Sequence, residues 1–158
     1  MELAALFPAR VRSLVLSNTA AQFATHDFWR QRMSRAQTEG VASLLDDTLK
    51  RWIVPEHLVD AHVITLLTNM LEHVELAGYL QCCDAVMNFD FTSRLRLIHV
   101  PTLIIAGPHD LATTPQQARQ LHAGIQQSTY LELPVAHLGN LGAPDVFTEA
   151  VLSFAKNH

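Results

Sequence analysis

Apolar positions change their spacing twice along this chain. Near the start, Leu14-Val15-Leu16 is a short continuous apolar run bounded by Ser13 on one side and Ser17-Asn18 on the other. Its length and polar flanks predict a strand buried on both faces. A short helix ending at Pro8 precedes it. From about residue 26 to residue 90 the spacing becomes helical. Val41, Leu45, Leu49 and Trp52 form one series, and Val59, Val63, Leu66, Met70 and Val74 form a second apolar stripe. Gly40, Pro55 and Gly78 punctuate the stretch, which carries no strand signal and predicts an all-α insert of several helices.

The last stretch returns to strand and helix in alternation. Leu103-Ile104-Ile105-Ala106, entered through Pro101, predicts a buried strand. Thr114-Pro115-Gln116-Gln117 then opens a helix, with Thr114 as N-cap, Pro115 at the first helical position and Gln117 closing a capping box. Gly124 ends that helix. Thr129-Tyr130-Leu131-Glu132-Leu133 alternates as an edge strand with one wet face should. A final helix begins at Pro144-Asp145 and buries Phe147, Val151 and Phe154. Strand, helical insert, strand, helix, strand, helix is an α/β order with parallel strands and right-handed crossovers. Residues 1–25 and 91–158 then form one α/β layer system and residues 26–90 the helical insert. A three-stranded sheet has two edges, yet Leu14 to Leu16 reads as an interior strand. An apolar edge of that kind needs a cover. The pattern therefore predicts an incomplete domain.

Composition narrows the partners. About 49% of the residues are apolar and 16% charged, which suits a folded domain and not a disordered one. The net charge of −4 gives no electrostatic case for nucleic acid or an anionic membrane. No apolar run approaches the roughly 18–20 residues of a membrane span. The opening Met1-Glu2-Leu3-Ala4-Ala5-Leu6-Phe7-Pro8 has no basic n-region and is read as an ordinary helix end, not a signal peptide. Cys82 and Cys83 are adjacent, so a bond between them would be strained, and they supply neither a disulfide framework nor a metal site. A reduced, cytoplasmic setting is expected.

Functional groups in parallel α/β sheets gather at the carboxyl ends of strands. Three such ends are available here: Ser17-Asn18-Thr19, Gly107-Pro108-His109-Asp110 and Pro134-Val135-Ala136-His137. Asp110 and His137 lie one αβ unit apart, so their loops should emerge side by side. That arrangement offers a carboxylate to orient an imidazole as a general base. Taken singly, an aspartate after a strand serves more often as a turn or helix cap, and a histidine there more often lies on the surface. Together, and in the order acid then histidine that follows a nucleophile in α/β-hydrolases, they read as two members of a triad. No Gly-x-Ser-x-Gly occurs anywhere in the chain. Ser17 and the two cysteines lack the strained strand–turn–helix that exposes a nucleophile, so Ser17 is read as pocket lining or a turn cap and the cysteines as core of the insert. His26 and His109 each adjoin an aspartate, but no clustered spacing supports a metal. Trp29 and Trp52 are suited either to shaping a pocket or to stapling the helices, and Trp29 is taken as the pocket candidate.

Several segments resemble one family. Phe7-Pro8-Ala9-Arg10-Val11-Arg12-Ser13-Leu14-Val15-Leu16-Ser17-Asn18-Thr19-Ala20 resembles the helix-to-strand passage of α/β-hydrolases, with the Asn-Thr-Ala ending of 3-oxoadipate enol-lactonases. Val100 to Pro115 resembles their acid loop, and Ala136-His137-Leu138-Gly139-Asn140 their histidine loop, with Ala136 where many relatives have serine. Phe28-Trp29, Arg32, Arg35, Thr38-Glu39-Gly40 and Arg51-Trp52 are similar to their helical cap. The resemblance implies a partial α/β-hydrolase fold of about three parallel strands with flanking helices plus an all-α cap. It implies Asp110 and His137 as catalytic acid and base, with serine and oxyanion donors lying before Met1. It further implies a small-molecule lactone or ester as substrate, 3-oxoadipate enol-lactone of aromatic catabolism by the β-ketoadipate route, held by Trp29, Ser17 and Arg32 or Arg35. No cofactor and no metal is implied. The competing expectation is a non-catalytic fragment that covers its open edge as a homodimer or with a separate N-terminal half.

Overall fold

The computed structural model describes residues 1–54 and 61–158, and its sheet is built from the two apolar runs and the alternating segment that follows them. They form β1 (Leu14–Ser17), β2 (Thr102–Ala106) and β3 (Ser128–Glu132), all parallel, in the order β1-β2-β3. Leu16 stands opposite Ile104, and Ile104 opposite Tyr130. The two-residue period then sorts side chains between two faces. Leu14, Leu16, Ile104, Ala106 and Tyr130 pack on one face with Ala4 of α1 (Glu2–Leu6). Ala118 and Leu121 of α6 (Pro115–Gly124) join the same cluster. Val15, Leu103, Ile105 and Leu131 face the other way, against Phe147, Val151 and Phe154 of α8 (Pro144–Asn157). Every residue of β2 is buried, as a central strand between two helical layers must be. β1 has a strand neighbour on one side only, so the apolar strand does lie at an edge of this sheet.

Helices α2 (His26–Glu39), α3 (Leu45–Trp52), α4 (Ala61–Glu72) and α5 (Leu76–Met87) separate β1 from β2. Thr25 caps α2 by accepting the Phe28 N–H at 3.4 Å, and the helix stops at Gly40, whose φ of 84° favours glycine. The insert has small cores of its own: Ala36, Val41, Leu44 and Leu71 in one, and Leu49, Ile53 and Leu67 in another. It leaves and rejoins the sheet layers at one neck, where the Phe91 N–H donates to the Ala21 carbonyl at 2.8 Å. Among the described residues no helix is long and apolar enough to cross a membrane. The remaining described elements are 3-10 segments over Pro8–Arg10, Val41–Leu44 and Thr92–Leu97, and α7 (Gly139–Gly142) after β3.

Four local expectations change. The buried side of α4 is Leu67 and Leu71 with Val63 and Ile64, so Leu66, Met70 and Val74 stay exposed. Both sets have helical spacing, and only the position of the neighbouring helices selects one; Pro55 and Val59 lie outside the described residues. Gly78 does not break the insert but sits inside α5, with open space where a Cβ would be. Gly124 ends α6 as expected, yet without positive φ: a Cβ there would stand 2.6 Å from Leu95, so close packing and not a left-handed turn requires the glycine. β3 has no wholly wet face, because Tyr130 and Leu131 pack on opposite sides of a sheet covered by helices on both. The capping box at Thr114 is present: its hydroxyl accepts the Gln117 N–H at 3.4 Å and the Gln117 side chain accepts the Thr114 N–H at 2.9 Å.

Candidate active site

The three strand ends converge. Asn18 directly follows β1 and adopts φ 47°, a left-handed conformation that asparagine tolerates better than most residues. Its backbone N–H donates to the Ile105 carbonyl at 2.9 Å, and its side chain reaches across to both other loops. The amide Nδ2 donates to the Ala136 carbonyl at 2.8 Å and to Asp110 Oδ2 at 3.2 Å. Gly107, directly after β2, lets the loop after β3 run against the loop after β2. A Cβ at that position would stand 2.3 Å from the Val135 carbonyl oxygen.

Asp110 is therefore received into a ring of donors. Oδ1 accepts the backbone N–H groups of Ala112 at 2.7 Å and Thr113 at 2.8 Å. Oδ2 accepts the Thr113 hydroxyl at 2.9 Å, the Asn18 amide and His137 Nδ1 at 2.9 Å. Burial pushes the Asp110 carboxyl up, but hydrogen bonds from His137, the Thr113 backbone and Asn18, with the nearby imidazole charge, more than offset it. The net direction is below the ordinary carboxylate range. A fully donor-satisfied buried carboxylate holds its charge and its place.

His137 is bound on one edge and open on the other. Nδ1 faces Asp110, with the Thr113 hydroxyl 3.3 Å away, which makes Nδ1 the protonated nitrogen of the neutral ring. Nε2 has no hydrogen-bond partner among the described residues and is the nitrogen left to exchange a proton. The ring lines a cleft of about 290 Å³ between the sheet end and the helical insert. Its walls are mostly apolar, including Phe23, Phe28, Trp29, Trp52 and Val86.

The cleft carries positive charge. Arg32 donates from Nε to the Tyr79 hydroxyl at 2.6 Å and from Nη2 to the Thr48 hydroxyl at 2.5 Å. Burial pushes the Tyr79 phenol up to about 12, so it stays neutral beside that guanidinium. Arg51 lies 4.4 Å over the Phe28 ring and reaches the Leu111 carbonyl at 3.5 Å. Burial and the neighbouring Arg32 charge both push its guanidinium below its ordinary value. Nε1 of Trp29 is buried with no hydrogen-bond partner among the described residues.

Trp29 and Arg32 thus lie in the cleft with His137, but the other two candidate contacts do not. Arg35 points to an adjoining groove, which shares Phe28, Arg32 and Arg51 with the cleft, and is occupied by Glu39 at 3.2 Å, Asp47 at 2.6 Å and the Ser43 carbonyl at 2.6 Å. Those two carboxylates hold its guanidinium above its ordinary value. Ser17 donates to Asn18 Oδ1 at 2.7 Å and serves the Asn18 bridge, away from the cleft lining. Cys83 is buried within the insert as expected while Cys82 is exposed; both border the cleft, and burial pushes the Cys83 thiol up. Sequence reasoning passed over Asn18, Thr113, Gly107 and Arg51. The first two carried a signal: an asparagine ending a strand suits a left-handed turn, and Asp-x-x-Thr suits a local side-chain turn. Among the described residues no serine or cysteine side chain hydrogen-bonds to His137, so the site as it stands orients a base without presenting it a nucleophile.

No family model matches the chain. It is 30% identical over 155 residues to 3-oxoadipate enol-lactonase 2 of Acinetobacter baylyi, a match that covers 98% of this chain and 58% of that protein. A solved enol-lactonase from Burkholderia xenovorans LB400 superimposes with a TM-score of 0.94 at 34% identity, covering 98% of this chain and 60% of the other. A hydrolase from Pseudomonas aeruginosa superimposes with a TM-score of 0.92 at 31% identity over 98% and 59% of the two chains. The chain spans less than two thirds of each relative's length. Sequence and architecture together place it in the α/β-hydrolase superfamily, where it is similar to the C-terminal part of the 3-oxoadipate enol-lactonases.

Proposed function

We propose that the chain supplies the cap, the acid and the histidine of a Ser-His-Asp hydrolase that opens small lactones or carboxylic esters. The observation that carries this reading is the Asp110 Oδ2 to His137 Nδ1 contact of 2.9 Å at the wall of the cleft. Such a contact fixes the imidazole tautomer and stabilises the imidazolium that forms when Nε2 takes a proton. The serine is proposed to come from polypeptide outside these 158 residues. Its oxygen attacks the lactone carbonyl carbon while its proton passes to Nε2. The carbonyl carbon to ring-oxygen bond then breaks, and Nε2 returns the proton to the leaving oxygen. Water attacks the resulting acyl ester in the same way, giving the free acid and restoring the serine. The names of the relatives suggest 3-oxoadipate enol-lactone, in aromatic catabolism, as the substrate. The cationic cleft supports a substrate with a carboxylate, seated by Arg32 and Arg51 with Trp29 above it.

The chain alone is expected to give no enol-lactone turnover above buffer. Mixing it with the N-terminal segment of a related lactonase should restore turnover, and His137→Ala should remove what was restored. Turnover by the chain alone that His137→Ala abolishes would overturn the external serine. Restored turnover that survives His137→Ala would overturn the role of the histidine. A second reading, a non-catalytic module that dimerises or pairs through its sheet edge, is favoured by the one-sided pairing of β1. Light scattering distinguishes it: a stable monomer at all concentrations counts against edge pairing.

A further inference from the structure

The acid and the histidine share the Asn18 bridge, but the insert holds the histidine loop more closely than the acid loop. Asp110 is fixed by groups at the strand ends: Asn18, Thr113 and two backbone amides. The chain around His137 is held from both sides: Asn18 Nδ2 grips the Ala136 carbonyl before it at 2.8 Å from the strand end, and the helical insert holds the residues after it. The Leu138 N–H donates to the Trp52 carbonyl at the end of α3, at 3.0 Å. The Trp52 indole and the His137 imidazole are stacked, with ring centroids 6.1 Å apart and planes 30° apart. Leu138 and Leu141 pack into the insert's cluster of Leu49, Ile53 and Leu67, not into the clusters under the sheet.

We propose that Trp52 is a positioning residue for His137, so that the end of α3, together with Asp110, sets where the imidazole stands. Three contacts of different kinds, a backbone hydrogen bond, a ring face and a shared apolar cluster, converge on two consecutive loop residues. Asp110 constrains the ring only along the Nδ1 edge, and a single hydrogen bond leaves the ring free to tilt about that axis. A flat indole against the ring face removes the tilt. The Trp52 carbonyl holds the backbone from which the ring hangs. Arg51, the preceding residue, reaches the Leu111 carbonyl on the acid loop, so one helix end touches both loops. Because Trp52 also lines the cleft, a molecule that shifts α3 on entering would shift the base with it.

The proposal rests on His137 being the proton carrier, yet its test involves no turnover, so its failure and that of the hydrolase reading show separately. The Nδ1 proton shared with Asp110 gives a downfield proton resonance in the 158-residue chain, assigned by its loss in His137→Gln. In Trp52→Leu its exchange with water should rise by about tenfold or more, broadening it away. Trp52→Phe, which keeps a ring face, should retain it, and the Ala112 and Thr113 amide shifts should hold in both. An unchanged Nδ1 resonance in Trp52→Leu overturns the proposal, as does a loss in both variants with the Ala112 and Thr113 amides moving too. A second readout leaves Trp52 untouched and decides the matter where the Nδ1 proton exchanges too fast to observe. In Trp29→Phe the remaining indole should lose emission as the stacked imidazole takes a proton, and His137→Gln should abolish that change. Emission indifferent to His137 overturns the proposal.

Discussion

Gly107 and Val135 meet backbone to backbone: a Cβ on Gly107 would stand 2.3 Å from the Val135 carbonyl oxygen and 2.6 Å from that of Ala136. The acid loop and the histidine loop approach closely enough for Asp110 to reach His137 only because residue 107 has no side chain. Gly107→Ala should therefore force two backbones apart and destabilise the fold by roughly 2–4 kcal/mol. Gly124→Ala is the control. Its Cβ would meet Leu95 Cδ1 at 2.6 Å and Leu95 Cβ at 2.8 Å; the first can turn away and the second moves only with its own short 3-10 segment, at a cost of about 1–3 kcal/mol. Urea unfolding of the two variants checks the ranking, and equal losses would contradict it.

Asp110 gives stability a pH dependence of known sign. Its carboxyl lies below the ordinary range in the folded chain, so the unfolded chain binds its proton more readily. The contribution is fully present above the unfolded value of about 3.9 and is lost as pH falls through the lower folded value. Asp110→Asn should be less stable than the parent at pH 7, by roughly 2–4 kcal/mol, because an amide nitrogen is brought against donors. The gap should close as pH drops below about 4. The exposed Asp90, held low by the Thr92 backbone N–H, shares the direction, so Asp90→Asn run alongside separates the two acid limbs. Denaturant titrations between pH 7 and pH 2 measure this, and a gap that persists at the acid end would reject the assignment.

Much of the site was legible because strand ends in a parallel sheet bring sequence-distant residues together by topology alone. Asp110 follows an apolar run and His137 an alternating one, and the parallel pairing of β2 with β3 does the rest. What escaped was any feature that depends on three-dimensional neighbours. Leu66 and Leu67 are equally apolar and one position apart, and only the placement of α3 against α4 buries the second. Arg32 and Arg35 both sit on α2, yet one turn of helix sends Arg32 to the cleft and Arg35 to Glu39 and Asp47. Gly78 and Gly107 are the same residue in sequence, but one has open space around it and the other has a backbone.

Gly78 offers a gain in stability without a change in the site. It lies within α5, its φ is not positive, and a Cβ there would meet nothing within 4 Å. Replacing glycine by alanine in such a position narrows the unfolded ensemble and stabilises by about 0.4–1 kcal/mol. Gly78→Ala should raise the urea midpoint with an unchanged slope. A lower midpoint would mean that this glycine is needed for an approach the structure does not contain.

Arg32 and Arg51 define what the cleft should accept. Among the described residues Arg32 hydrogen-bonds only to neutral partners, Tyr79 and Thr48, and Arg51 has a phenyl face and one long bond to a backbone carbonyl. Neither makes a salt bridge with a carboxylate among the described residues. Burial first, and the neighbouring Arg32 charge second, push the Arg51 guanidinium below its ordinary value. A carboxylate placed between them would relieve that repulsion and gain charge-assisted hydrogen bonds worth about 1.5–3 kcal/mol. Short aliphatic carboxylates should therefore quench the cleft tryptophans on binding, while the matching primary amides should not. Arg51→Met should weaken carboxylate binding by about ten- to a hundredfold, whereas Arg35→Met, already engaged elsewhere, should leave it within about twofold. Added salt should weaken the parent more than Arg51→Met. Equal binding of the carboxylate and its amide would show that the guanidiniums are structural and that the cleft selects by shape alone.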